Sequence, residues 1–86
     1  MNLAYKLVVW DFLADYVKGW RAQQSPRLTQ EDMAERLHIS SRAYGDLERK
    51  TYCFSTMLLI YFLVRLSDEE ALKLKKELWR LLETNE

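Results

Sequence analysis

The stretch TQEDMAERLHISSRAYGDLER, residues 29–49, constrains the fold more than any other part of the chain. Met33, Ala34 and Leu37 repeat at helical spacing, His38-Ile39-Ser40 breaks the pattern, and Ala43, Tyr44 and Leu47 resume it. The periodicity predicts two short helices. A link this brief forces them to cross at a steep angle, which is the geometry of a helix-turn-helix. Thr29 and Ser40 stand where each helix needs an N-cap, and Asp32 completes a box with Thr29.

The flanking segments read as further helices. Residues 2–22 contain no Pro and no Gly before Gly19. Leu3, Leu7, Trp10, Ala14 and Val17 form one stripe of the predicted first helix, and Tyr5, Val9, Phe12 and Tyr16 form a second on an adjoining face. So wide an apolar surface has two explanations. Either this is a central helix covered on both sides within the monomer, or part of the second stripe meets a partner subunit. Pro26 forces Ser25 out of helical geometry and ends the helix before it.

After the motif, Thr51 to Phe54 read as a loop. Ser55 caps a predicted helix over 55–66, with Leu58, Leu59, Phe62, Leu63 and Leu66 as core. Ser67 caps a last helix over 67–83, whose acidic first turn (Asp68, Glu69, Glu70) suits the positive end of the helix dipole. Ala71, Leu74, Leu78, Leu81 and Leu82 make its inner stripe, leaving Leu72 and Trp79 off it. The expectation is one all-α domain over residues 1–86, a five-helix bundle.

Composition narrows the function. Thirteen basic and thirteen acidic residues cancel, so nothing in the net charge argues for nucleic acid. Between Lys18 and Lys50, however, seven basic residues face five acidic ones, a local excess of +2. One cysteine, Cys53, excludes an internal disulfide and suits a reducing compartment. The longest apolar run, Met57 to Val64, is eight residues, far short of a membrane span. The N-terminal residues lack the pattern of a secretion signal, so a soluble cytoplasmic protein is expected. With one His, one Cys, no glycine-rich phosphate loop and no metal-ligand spacing, neither an enzyme nor a metal, cofactor or small-molecule ligand is expected.

Leu28 to Leu37 (LTQEDMAERL), then Ile39-Ser40, then Leu47-Glu48-Arg49 resemble the phage-repressor-like helix-turn-helix family, the Cro-type or xenobiotic-response-element class. The resemblance covers roughly Arg21 to Leu66. It implies a lambda-repressor-like five-helix bundle, binding to a palindromic DNA operator, and a two-fold homodimer. Residue by residue, it implies that Ala34 lets the motif helices approach closely and that Ile39 plugs the turn. Glu48 matches an acid that pairs with an arginine near the end of the first helix, for which Arg21 is the candidate.

On the DNA side, Gln30 matches a residue that touches a phosphate and buttresses the recognition helix. Ser40 opens that helix, and Ser41 and Arg42 match positions that reach base edges, arginine being the usual reader of guanine. Gly45 and Asp46 follow one turn later. Gly45 offers room for close approach. Asp46 either accepts from cytosine or pairs with Arg42 or Arg49. Arg49, Lys50, Thr51 and Tyr52 match the loop that meets the sugar-phosphate backbone.

Three residues depart from the family pattern. His38 and Lys50 replace glycines, so the left-handed cap at Lys50 is expected to be absent or strained, and Tyr44 replaces a smaller β-branched residue. Dimer contacts are expected from Tyr5, Val9, Phe12, Tyr16, Leu72 and Trp79. The competing expectation is a helix-turn-helix scaffold that binds protein and has abandoned DNA, in line with zero net charge, Gly45 and Asp46.

Overall fold

A computed structural model describes residues 3–84, with side chains from residue 7 onward. Five helices follow in order: α1 (Leu3–Gln23), α2 (Gln30–Leu37), α3 (Ser41–Glu48), α4 (Thr56–Leu63) and α5 (Asp68–Thr84). The domain is an all-α five-helix bundle, and its described residues contain no strand.

Local chemistry sets the helix ends. At α2 the Asp32 amide donates to Thr29 Oγ1 at 3.0 Å while the Thr29 amide donates to Asp32 Oδ2 at 3.1 Å, a complete capping box. Ser40 and Ser55 accept from the amides of Ala43 and Leu58. Ser67 and Glu70 exchange reciprocal bonds at the start of α5. Each side chain takes up an amide that the first helical turn leaves unpaired.

Both short motif helices end in the left-handed conformation without glycine. His38 has φ 61° and Lys50 has φ 67°. Around each, two backbone bonds run back into the helix: Ile39 to Ala34 and His38 to Glu35 at the first, Thr51 to Asp46 and Lys50 to Leu47 at the second. This is the Schellman arrangement. The cap expected to be absent or strained at Lys50 is therefore present. Each side chain gains a tether there: the His38 ring lies 4.5 Å from that of Tyr61, and the Lys50 ammonium reaches α1.

The core lies where α1 crosses the motif and α4. Leu13, Ala14 and Val17 of α1 meet Met33, Ala34 and Leu37 of α2, Tyr44 and Leu47 of α3, Leu58 and Phe62 of α4, and Leu74 of α5, all nearly inaccessible to water. Phe62 is completely buried, with Tyr16 and Trp20 edge-on to it at centroid distances of 6.0 and 5.6 Å. The Trp20 indole N–H donates to Glu70 at 2.9 Å and ties α1 to the cap of α5.

Three expectations need correction. Leu7 and Trp10 are exposed, while Leu13 is buried. The 21 residues of α1 extend about 31 Å against about 12 Å for each eight-residue helix, so the first turns of α1 run past the part of the core those helices supply. Val9, Phe12 and Tyr16, expected as spare surface, are partly buried against the monomer's own core. Finally, α4 stops at Leu63, not 66. Arg65 and Leu66 make tight i→i+3 bonds to Phe62 and Leu63, which turn the chain toward the Ser67 cap and leave Leu63 exposed. The Tyr5 side chain lies outside the described residues.

Candidate nucleic-acid interface

The candidate site is the outer surface of α3, and its placement starts from the inside. Glu48 closes α3 with a carboxylate turned into the protein. Arg21, in the last turn of α1, meets it with a two-pronged contact: Nε donates to Oε2 at 2.7 Å and Nη2 to Oε1 at 3.1 Å. The two side chains are 10% and 4% exposed, so this is a buried pair. A third Arg21 nitrogen, Nη1, donates to the Leu28 carbonyl at 3.0 Å and pins the approach to α2. Gln30 Nε2 donates to Glu48 Oε1 at 2.9 Å. One carboxylate thus joins α1, α2 and α3. The Arg21–Glu48 pair is where the sequence placed it, and Gln30 buttresses α3 as the resemblance implied.

The electrostatics agree with the geometry. Burial works to raise the Glu48 pKa, but contacts with Arg21, Tyr44 and Gln30 outweigh it and hold the carboxyl below its usual range. The same bond to Glu48 raises the Arg21 pKa. The Tyr44 hydroxyl completes the cluster. It is fully buried beside the pair, yet no acceptor is aligned with it in hydrogen-bonding geometry. Burial first, then the nearby carboxylate, pushes its pKa far up. The bulk of Tyr44, a departure from the family pattern, is absorbed by the core.

On the outer side, Ser40 caps α3 and is exposed together with Ser41 and Arg42. The next turn is occupied differently. Gly45 is buried beneath the Arg49 side chain: a β-carbon there would meet Arg49 Nη1 at 3.2 Å. Room for close approach at Gly45 is therefore already filled. Asp46 is paired with Arg49, one of the partners its sequence position allowed. Lys50 is held between two carboxylates of α1, at 2.8 Å from Asp11 and 3.2 Å from Asp15. Asp11, and then Asp15, raise the pKa of its ammonium. Lys50 is thus placed beside the motif, but not as a free cation.

Asp11 and Asp15 belong to the site and were not singled out in the sequence. Their i,i+4 spacing on a helix does put two carboxylates on one face, a signal that a cation packs across them. Which cation depends on how α1 crosses the end of α3, and spacing alone does not carry that.

Elsewhere the chemistry is sparse. Among the described residues no group of three His, Cys, Asp or Glu is arranged to hold a metal ion, Cys53 is exposed, and no helix is long and apolar enough to cross a membrane. No known protein family, curated protein or solved structure matches the chain at a significant level. The resemblance to the phage-repressor-like class therefore rests on the motif residues alone.

Proposed function

We propose that the chain is a small DNA-binding transcriptional regulator of the phage-repressor-like helix-turn-helix class, acting as a dimer on a palindromic operator. The observation that supports this most is the Glu48 cluster. Four hydrogen bonds made by Arg21 and Gln30 to Glu48 and the Leu28 carbonyl would serve little purpose on an arbitrary surface helix. They link these partners across α1 to α3, and they fix α3 while its Ser41–Arg42 turn stays open to solvent. A rigid helix with an exposed first turn is what direct readout in a major groove requires. Bound symmetrically, two copies would meet half-sites about one helical turn apart and act by occupying a promoter.

The roles divide by chemistry. Ser41 and Arg42 reach base edges, Gln30 contacts a phosphate, and Arg49 and Lys50 reach phosphates by exchanging Asp46, Asp11 and Asp15 for the nucleic acid. Arg42→Ala is expected to weaken binding by about 1–3 kcal/mol and to relax preference at one base position. Titration of variant operators checks this. An equal loss on every sequence would make Arg42 a phosphate contact.

The carboxylates of α1 tune the same surface. Neutralising them as Asp11→Asn with Asp15→Asn is expected to release Lys50 and tighten binding at every salt concentration, with the slope of log K against log salt unchanged because the wild type already makes the same phosphate contact. Binding curves at several salt concentrations measure both.

A second reading has its own support. Arg49 and Lys50 are neutralised within the chain, and Trp79, Val64 and Met57 are well exposed. Both facts fit a scaffold that recognises protein rather than DNA. Loss of all nucleic-acid binding in the presence of a folded domain would favour it.

A further inference from the structure

The outer face of α5 is uncovered and carries a pattern. Leu72 and Trp79, seven residues apart, are 52% and 66% exposed. Beside them stand Asp68 and Glu69 in the first turn and Lys75 and Lys76 seven residues on, all exposed. Positions seven apart on a helix nearly coincide in angle. The six residues therefore form three lines along the helix, an apolar line between two charged ones. Each charged line has its acid at the N-terminal end and its lysine toward the C-terminus. Leu74 on the opposite face is buried, so this face points away from the bundle.

Such a surface complements itself in one orientation only. Two copies laid parallel bring acid to acid and lysine to lysine. Laid antiparallel about a two-fold axis at Leu72, each charged line meets its own counterpart reversed. Asp68, four residues before the axis, then faces Lys75, three after it; Glu69, three before, faces Lys76, four after. Each offset is one residue, about 1.5 Å. The weak Glu69–Lys73 contact at 3.7 Å lies between exposed groups and is readily exchanged.

The same register accounts for two further side chains. Trp79 lies about 10.5 Å beyond the axis, past the first residue of the second copy's α5 and over its α4–α5 turn. Val64 stands in that turn, 70% exposed. Val64 and Trp79 are the two most exposed large apolar side chains among the described residues, and this register brings the turn of one copy toward the Trp79 end of the other.

We infer that the outer face of α5 is the contact between two copies of this chain, paired antiparallel about Leu72 through Asp68–Lys75 and Glu69–Lys76. This contact is isologous, the same patch on both copies. It deepens the dimeric part of the proposed function and assigns it to α5 rather than α1; it does not depend on DNA.

Mass in solution tests it with the full chain, without DNA, up to millimolar protein. The wild type is expected to reach twice its monomer mass of 10.3 kDa. Lys75→Glu with Lys76→Glu is expected to weaken association by about tenfold or more, because like charges then face each other. Asp68→Lys with Glu69→Lys does the same, though it also opposes the α5 dipole, which makes the lysine pair the cleaner variant. Combining all four reversals restores the dimer, and mixing the two double variants yields a heterodimer. A wild type that stays monomeric, or a dimer indifferent to charge reversal, overturns the inference. A dimer that responds as expected while binding no DNA sinks the DNA reading and leaves the pairing standing.

Discussion

Replacing Glu48 by alanine is expected to destabilise the domain by about 3–5 kcal/mol, because it strands the Arg21 guanidinium in a buried site without its carboxylate. A domain of this length has about 4–13 kcal/mol of stability in all. The variant is therefore expected to unfold at low denaturant or to lose cooperative unfolding at 37 °C. Removing both charges together, as Arg21→Met with Glu48→Leu, is expected to restore most of the stability, since the desolvation cost of both ions disappears as well. The contrast identifies the stranded cation, not the lost ion pair, as the source of the damage.

The same carboxylate makes a pH prediction. The Glu48 pKa in the folded protein lies below its ordinary value of 4.5. A depressed carboxyl pKa contributes stability that is present above the unfolded value and is lost as pH falls through the folded one. Wild-type stability should thus decline on acidification below about pH 4.5, and Glu48→Gln should flatten that decline while lowering stability at neutral pH. Urea unfolding across an acid series measures both. Equal acid sensitivity in wild type and Glu48→Gln would show that other carboxylates carry the effect.

Phe62→Ala is the second large effect, at about 3–5 kcal/mol. Phe62 is fully buried and its ring packs nearly perpendicular to those of Tyr16 and Trp20. Truncation removes the apolar transfer energy, opens a cavity, and leaves two aromatic rings without their partner. Phe62→Leu keeps most of the volume and is expected to cost less than half as much. Denaturant midpoints of the two variants give the comparison. Similar losses in both would mean that ring geometry, rather than filled volume, holds α4 in place.

The division between what sequence conveys and what it withholds follows from the range of each interaction. Thr29, Ser40, Ser55 and Ser67 act on amides three residues away, and all four caps are legible in the sequence. The Arg21–Glu48 pair spans 27 positions, yet its motif neighbours placed it. The apolar stripe of α1 misled at Leu7 and Trp10 because periodicity reports which side of a helix is apolar, not how far the core extends beneath it. The Lys50 site needed the crossing of α1 and α3. The left-handed caps at His38 and Lys50 are a related case: without glycine, they persist where the side chain gains a contact from another helix.

The proposed function rests on α3 being held by its inner face while its first turn stays open to solvent. Salt-dependent binding of the purified chain to the DNA upstream of its own coding region tests that claim most directly. A retarded complex is expected at micromolar protein in ~100 mM salt, with log K falling linearly against log salt by about 0.9 for each phosphate engaged, and a loss of sequence preference in Arg42→Ala. A folded protein that binds no DNA under these conditions, or binds every sequence alike before and after that substitution, would contradict it.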